Sequence, residues 1–134
     1  MGRELLLRSV EDGATLRLSC PGESWGSITV EAQGNGYSVT SGVYVDMAPP
    51  LPRFLEELAA GTGAMGDQHW ETLEGDLRFE ASRDAIGHIY IVYHLRSPDI
   101  GSNRWWTFTG RMVLELGAMA EICKLARRFW NAST

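Results

Sequence analysis

The chain has 134 residues, enough for one domain and short for two. Apolar residues make up 44% and charged residues 22%, a globular balance rather than a disordered one. A chain of this size buries roughly two-thirds of its unfolded surface, so its core needs no metal or disulfide staples. Seventeen acidic against twelve basic residues give a net charge of −5, which argues against general binding to nucleic acid or anionic membranes.

The N-terminal run Arg3-Glu4-Leu5-Leu6-Leu7-Arg8 holds three apolar residues between charges, short of the roughly 7–15 of a signal peptide. Leu6 stands where a myristoylation signal needs Ser or Thr, and no stretch approaches the ~20 apolar residues of a membrane-spanning helix. Cys20 and Cys123 form neither a disulfide framework nor a metal spacing. The expected compartment is the cytoplasm.

Strand chemistry then begins. Leu16 and Leu18 alternate with Arg17 and Ser19, and Ile28-Thr29-Val30 follows a Gly-rich turn around Trp25. Gly34-Asn35-Gly36 predicts a tight hairpin into a strand carrying Val39, Val43 and Val45, with Gly42 a candidate bulge. Leu51, Phe54, Leu55 and Leu58 fall at i, i+3, i+4 and i+7, behind prolines and before Gly61, which predicts a helix over 51–60. Residues 70–73 and 77–81 flank the turn Glu74-Gly75-Asp76. Residues 89–95 make the clearest strand, and 104–114 another. A final helix over 117–131 sets Met119, Ala120, Cys123, Ala126 and Trp130 against Glu121, Lys124, Arg128 and Asn131. Strands with one internal and one terminal helix predict an α+β fold. The expected architecture is a mainly antiparallel sheet of seven or eight strands with both helices packed on it, residues 1–134 forming one domain.

Most chemical motifs fail on context. Gly61-Thr62-Gly63-Ala64-Met65-Gly66 spells a dinucleotide-binding loop, but a helix precedes it and a strand follows, the reverse of what phosphate binding needs. His88 and His94, six residues apart on one strand, stand ~20 Å apart at 3.3 Å per residue, too far to share a metal. His69 could join only one of them, with a carboxylate such as Asp67. There is no G-x-S-x-G elbow, and Cys123 reads as a small core residue. The expectation is no metal and no cofactor.

A charge pattern remains. Residues 54–84 hold eight carboxylates (Glu56, Glu57, Asp67, Glu71, Glu74, Asp76, Glu80, Asp84) and two arginines, a net −6. That run reads either as a solvated face or as an acidic surface that steers a basic partner. The adjacent Trp105 and Trp106 point to opposite faces of a strand, one inward and the other a candidate anchor.

Trp70-Glu71-Thr72-Leu73-Glu74-Gly75-Asp76-Leu77, with Asp84, Gly87-His88-Ile89 and Leu95-Arg96, resembles a family of uncharacterised actinobacterial proteins with a WE-x-LEGDL strand motif. More loosely, that family is similar to WapI-type immunity proteins. The resemblance spans residues 40–130 and implies an α+β fold with no assigned catalytic residue. Immunity proteins neutralise a toxin by binding it, so it also implies a basic toxin domain as partner. The Gly61–Gly66 run replaces a tryptophan-rich segment of the family pattern.

The expected function is therefore non-enzymatic binding through an acidic surface, with Trp70, Glu71, Glu74, Asp76, Trp105 and Trp106 as contact residues. The alternative is a small-molecule binder or enzyme with a pocket between sheet and helix, lined by His88, Tyr90, His94 and Trp106. Neither reading involves nucleic acid or membrane, and the oligomeric state stays open.

Overall fold

A computed structural model describes residues 3–20, 25–61, 68–98 and 103–131. Alternating burial along the early strands builds a first antiparallel sheet from β1 (Arg3–Arg8), β2 (Thr15–Cys20), β3 (Ser27–Gly34) and β4 (Tyr37–Tyr44), paired in chain order. A second sheet follows from β5 (Gln68–Glu71), β6 (Leu77–Arg83), β7 (His88–Pro98) and β8 (Trp105–Glu115), again paired in order and antiparallel. The eight strands among the described residues thus divide into two four-stranded sheets, where the sequence pattern suggests one.

β1 is an addition to the strands read from sequence. Its Leu5-Leu6-Leu7 run hides the alternation, yet Leu5 and Leu7 are buried while Leu6 turns toward solvent. The hairpin at residues 34–37 forms as expected, with the positive φ on Gly36 (89°) and none on Asn35. Gly42 makes no bulge: the β3–β4 register runs unbroken from Ser27↔Tyr44 to Gly34↔Tyr37.

α1 (Leu51–Ala60) matches the predicted span, with Pro52 in its first turn and Gly61 in the left-handed conformation (φ 66°) at its end. Its last carbonyls do not end unsatisfied, because Arg83 Nη1 on β6 donates to Leu58 O (3.0 Å) and Ala59 O (3.1 Å). The dinucleotide-like loop continues into 62–67, outside the described residues, but its context is a helix before and a strand after. α2 (Met119–Asn131) follows a single 3₁₀ turn at Leu116–Ala118. It buries Met119, Cys123, Ala126, Phe129 and Trp130, whereas Ala120 is exposed, a correction to its expected apolar side.

The inner faces of both sheets and both helices form one buried cluster. α2 packs against α1 and β1, and α1 packs against β5 and β6. A chain of aromatic contacts crosses this core. Trp25 meets Phe129 and Trp130 edge-on, Trp130 meets Trp70, and Trp70 lies against Phe79. The sheets are stitched where β1 ends: the buried Ser9 Oγ accepts the Val113 N–H at 3.0 Å, and Val10 N–H donates to Val113 O at 2.9 Å. Among the described residues no helix is long and apolar enough to cross a membrane.

Candidate functional site

The second sheet turns one face to the core and the other to solvent. The register places His69 and Glu71 of β5, Arg78 and Glu80 of β6, His88, Tyr90, Val92, His94 and Arg96 of β7, and Trp105, Thr107, Thr109 and Arg111 of β8 on the outer face. β8 alternation sends Trp106, Phe108 and Met112 to the opposite, inner face.

One end of this outer face is organised by Arg96. Its guanidinium carbon stands 4.7 Å from the centre of the Trp105 ring, a cation–π contact. From the same group, Nη2 donates to Glu74 O at 2.9 Å and lies 3.3 Å from Asp76 Oδ1. Asp76 returns the link through the backbone, its carbonyl accepting Arg96 N–H at 2.8 Å. The turn 72–76 is therefore fastened to the Trp105 end of the sheet. Within that turn Thr72 O accepts the Gly75 N–H at 2.9 Å, and Gly75 takes a positive φ of 75°. Leu73 (69% exposed) and Glu74 project from it, beside exposed Glu71 and half-exposed Trp105 (52%).

Three of the expected contact residues, Glu74, Asp76 and Trp105, thus gather around Arg96, with Asp76 acting as its partly buried anchor, and Glu71 lies beside the same turn with its Oε2 next to Gly75. Trp70 does not share that surface. It is 3% exposed, stacks on Phe79, and donates from Nε1 to Pro49 O at 2.8 Å, because its strand parity points it into the core. Trp106 likewise lies on the inner face, half-buried against the core cluster. Arg96 and Leu73 were not singled out from sequence as site residues. Both stand in the motif that carries the family resemblance, without a site role.

The acidic run 54–84 does not form a single surface. Glu56 pairs with Arg127 of α2 (3.3 Å) and Glu57 with Arg53 (3.3 Å), both at the helices. Glu80 lies 3.5 Å from His94 Nε2, and Glu71 lies 3.6 Å from His69 Nε2. Asp67 falls outside the described residues.

A second cluster occupies the β6–β7 corner. Asp84 accepts the backbone N–H groups of His88 (2.9 Å) and Ile86 (3.0 Å) and the Tyr90 hydroxyl (2.9 Å), and its Oδ2 lies 3.1 Å from His88 Nδ1. The His88 N–H above all, with the Tyr90 hydroxyl and Ile86 N–H, holds its carboxyl at about 2, outweighing the opposing effect of burial. Asp84 in turn raises the Tyr90 phenol, through that hydrogen bond first. The group is an ionised acceptor that pins the corner, and the adjacent shallow cleft of about 520 Å³ runs past His88 to Glu115 and Gly117.

The alternative pocket is not assembled. His88, Tyr90 and His94 lie on the outer face while Trp106 lies on the inner one, so the four cannot line one cavity. α1 packs on β5 and β6, and the inner face is filled by Phe54, Trp70, Phe79 and Trp130 and, at Phe108, by Tyr37 of the first sheet. Burial pushes the Cys123 thiol up, away from nucleophilic use. Among the described residues no three His, Cys, Asp or Glu side chains converge as a metal site.

No curated protein matches the chain, and no solved structure matches it. One family model does, over residues 8–133, which takes in every strand from β2 onward, both helices and the Arg96 cluster. The chain belongs to that family, a family of unknown function (DUF6228).

Proposed function

We propose that the protein is a non-enzymatic binding protein of immunity type, which holds a basic protein partner, such as a toxin domain, at the Arg96-organised end of the second sheet. The observation that carries this reading is the Arg96 clamp. It fixes an exposed aromatic, Trp105, and a turn bearing Leu73, Glu74 and the neighbouring Glu71 into one patch. Aromatic anchors held rigidly beside polar groups are what interface hot spots are made of, since little side-chain entropy remains to be lost on binding.

Glu71 and Glu74 supply the negative charge. Glu56 and Glu57 pair with arginines at the helices and Asp76 with Arg96, so the exposed charge beside this turn comes from Glu74 and from Glu71, which stands next to His69. Neutralisation is then steric: the partner's functional surface is covered, and no bond is made or broken. The resemblance to immunity proteins supports the same reading, as does the position of Trp106 on the opposite face of the sheet from His88, Tyr90 and His94.

The test is affinity capture with the tagged wild-type chain and its Glu71→Lys/Glu74→Lys variant, at low and high salt. A stoichiometric basic partner, held by the wild type at low salt and lost both at high salt and in the variant, supports the reading. A partner retained equally by both proteins contradicts it.

A further inference from the structure

β8 is an edge strand of the second sheet, and its hydrogen-bonding pattern fixes which of its backbone groups face outward. Leu116 N–H donates to Gly87 O (2.8 Å), which places the even-numbered residues of β8 in hydrogen-bonded pairs with β7. The odd-numbered residues turn their N–H and C=O groups away, as Val113 shows by bonding both to Ser9 and Val10. Below Val113, the outward groups of Trp105, Thr107, Thr109 and Arg111 have no backbone partner among the described residues. The window is thus bounded by the start of the strand at one end and by the Ser9–Val10 plug at the other.

Natural edge strands are blunted by charged side chains, prolines or bulges. The window has neither proline nor bulge, its one charged side chain, Arg111, is held at its far end by Glu11 at 3.0 Å, and its register with β7 is continuous from Pro98↔Trp105 to His88↔Glu115.

We infer that this window pairs with the same window of a second copy of the chain, antiparallel about a two-fold axis at Phe108, so that the two second sheets join into one of eight strands. The window is centred on residue 108, so this register fills it completely in both copies. Trp105 then lies opposite the partner's Arg111, and Thr107 opposite the partner's Thr109. On the outer face Trp105 would gain a second guanidinium beside that of its own Arg96, now at 4.7 Å. Threonine pairs and aromatic–cation pairs are both favourable across strands. On the inner face Phe108 meets its own symmetry mate at a non-hydrogen-bonded position, where Cα atoms approach to about 4.5 Å. Phe108 and Trp106 are only half-buried in one copy, and this pairing covers them. A one-step slip in register would turn the free groups of one strand toward the bonded ones of the other, and a two-step slip would leave Arg111 or Trp105 opposite a residue outside the window, so the match is specific.

This inference concerns the sheet edge and does not rest on the partner-binding reading of the outer face. The test is the solution mass of the full chain by light scattering, with amide hydrogen exchange followed residue by residue. The expected mass is twice the 14.9 kDa of one chain. Slow exchange is expected along all of β8, Thr107 and Thr109 included.

Thr107→Pro removes an outward N–H that β7 does not use, so it should halve the mass while the chain stays folded, melting as the wild type does at dilutions where the wild type is itself dissociated. As a second variant, Phe108→Cys should form an intermolecular disulfide under mild oxidation, and Thr107→Cys alone should not. A wild-type mass of one chain with rapid exchange at Thr107 and Thr109 overturns the inference. So does a dimer that survives Thr107→Pro intact.

Discussion

Arg96 and Trp105 sit on neighbouring strands with the guanidinium 4.7 Å above the indole ring, and the same guanidinium reaches Glu74 O at 2.9 Å. One side chain therefore couples an exposed aromatic on β8 to the turn between β5 and β6. The β6–β7–β8 ladder makes this possible by bringing residues 74, 96 and 105 to one end of the sheet.

Removing that coupling should loosen the patch more than the fold. Arg96→Gln keeps the backbone bond to Asp76 O but loses the cation–π contact and the ion pair, both partly exposed, at a cost of about 1 kcal/mol. Thermal unfolding should show only that modest loss. Hydrogen exchange in residues 72–76 should accelerate markedly. Unaltered exchange there would mean the turn is held by backbone hydrogen bonds without the guanidinium.

Trp70 belongs to the core and should behave so. Trp70→Phe keeps most of the ring contact with Phe79 but leaves Pro49 O without its donor, costing about 1–3 kcal/mol for the lost hydrogen bond and the smaller ring. Partner binding by the folded variant should match the wild type. Weakened binding at full stability would place Trp70 in the interface after all.

Asp84 carries a pH dependence of defined sign. Its carboxyl is held from 3.8 down to about 2 in the folded chain, first by the His88 N–H. A lowered folded-state value means the ionised form stabilises the fold above the unfolded value and loses that contribution as pH falls through the folded one. Asp84→Asn should therefore lower the melting temperature at neutral pH. Its deficit against wild type should shrink as pH falls from 3.8 to about 2. A deficit that stays constant over that range would show that Asp84 acts by shape rather than charge.

Much of the fold is legible in the residues. Leu51, Phe54, Leu55 and Leu58 with Gly61 mark α1 to its ends, because helix period and stop signal coincide. The alternation from Ile89 to Leu95 likewise marks β7. β1 is not legible, since three adjacent leucines carry no period and only pairing with β2 decides which one turns outward. The split into two sheets is not legible either, since nothing in the residues around α1 says that β4 and β5 do not pair, and the contact that joins the sheets, Ser9 to Val113, spans 104 residues. At the site, Glu71, Glu74, Asp76 and Trp105 are visible as charges and an aromatic. Arg96, which links Glu74, Asp76 and Trp105, is not, because it acts across pairings 20 and 22 residues away. Nor does the sequence show that the acidic run is divided between helix and sheet, each part with local cations. Trp105 and Trp106 are alike as residues, and only the β7–β8 register tells outer from inner.

The central claim is that the Arg96-held patch is a contact surface, and the direct measurement is partner affinity for Trp105→Ala beside Trp70→Phe, with the captured partner immobilised. An aromatic anchor of this kind is worth about 2 kcal/mol, so Trp105→Ala should weaken binding roughly 30-fold. Trp70→Phe should leave it unchanged. Equal affinity for wild type and Trp105→Ala would contradict the account, and the outer face would then be only a solvated surface of the sheet.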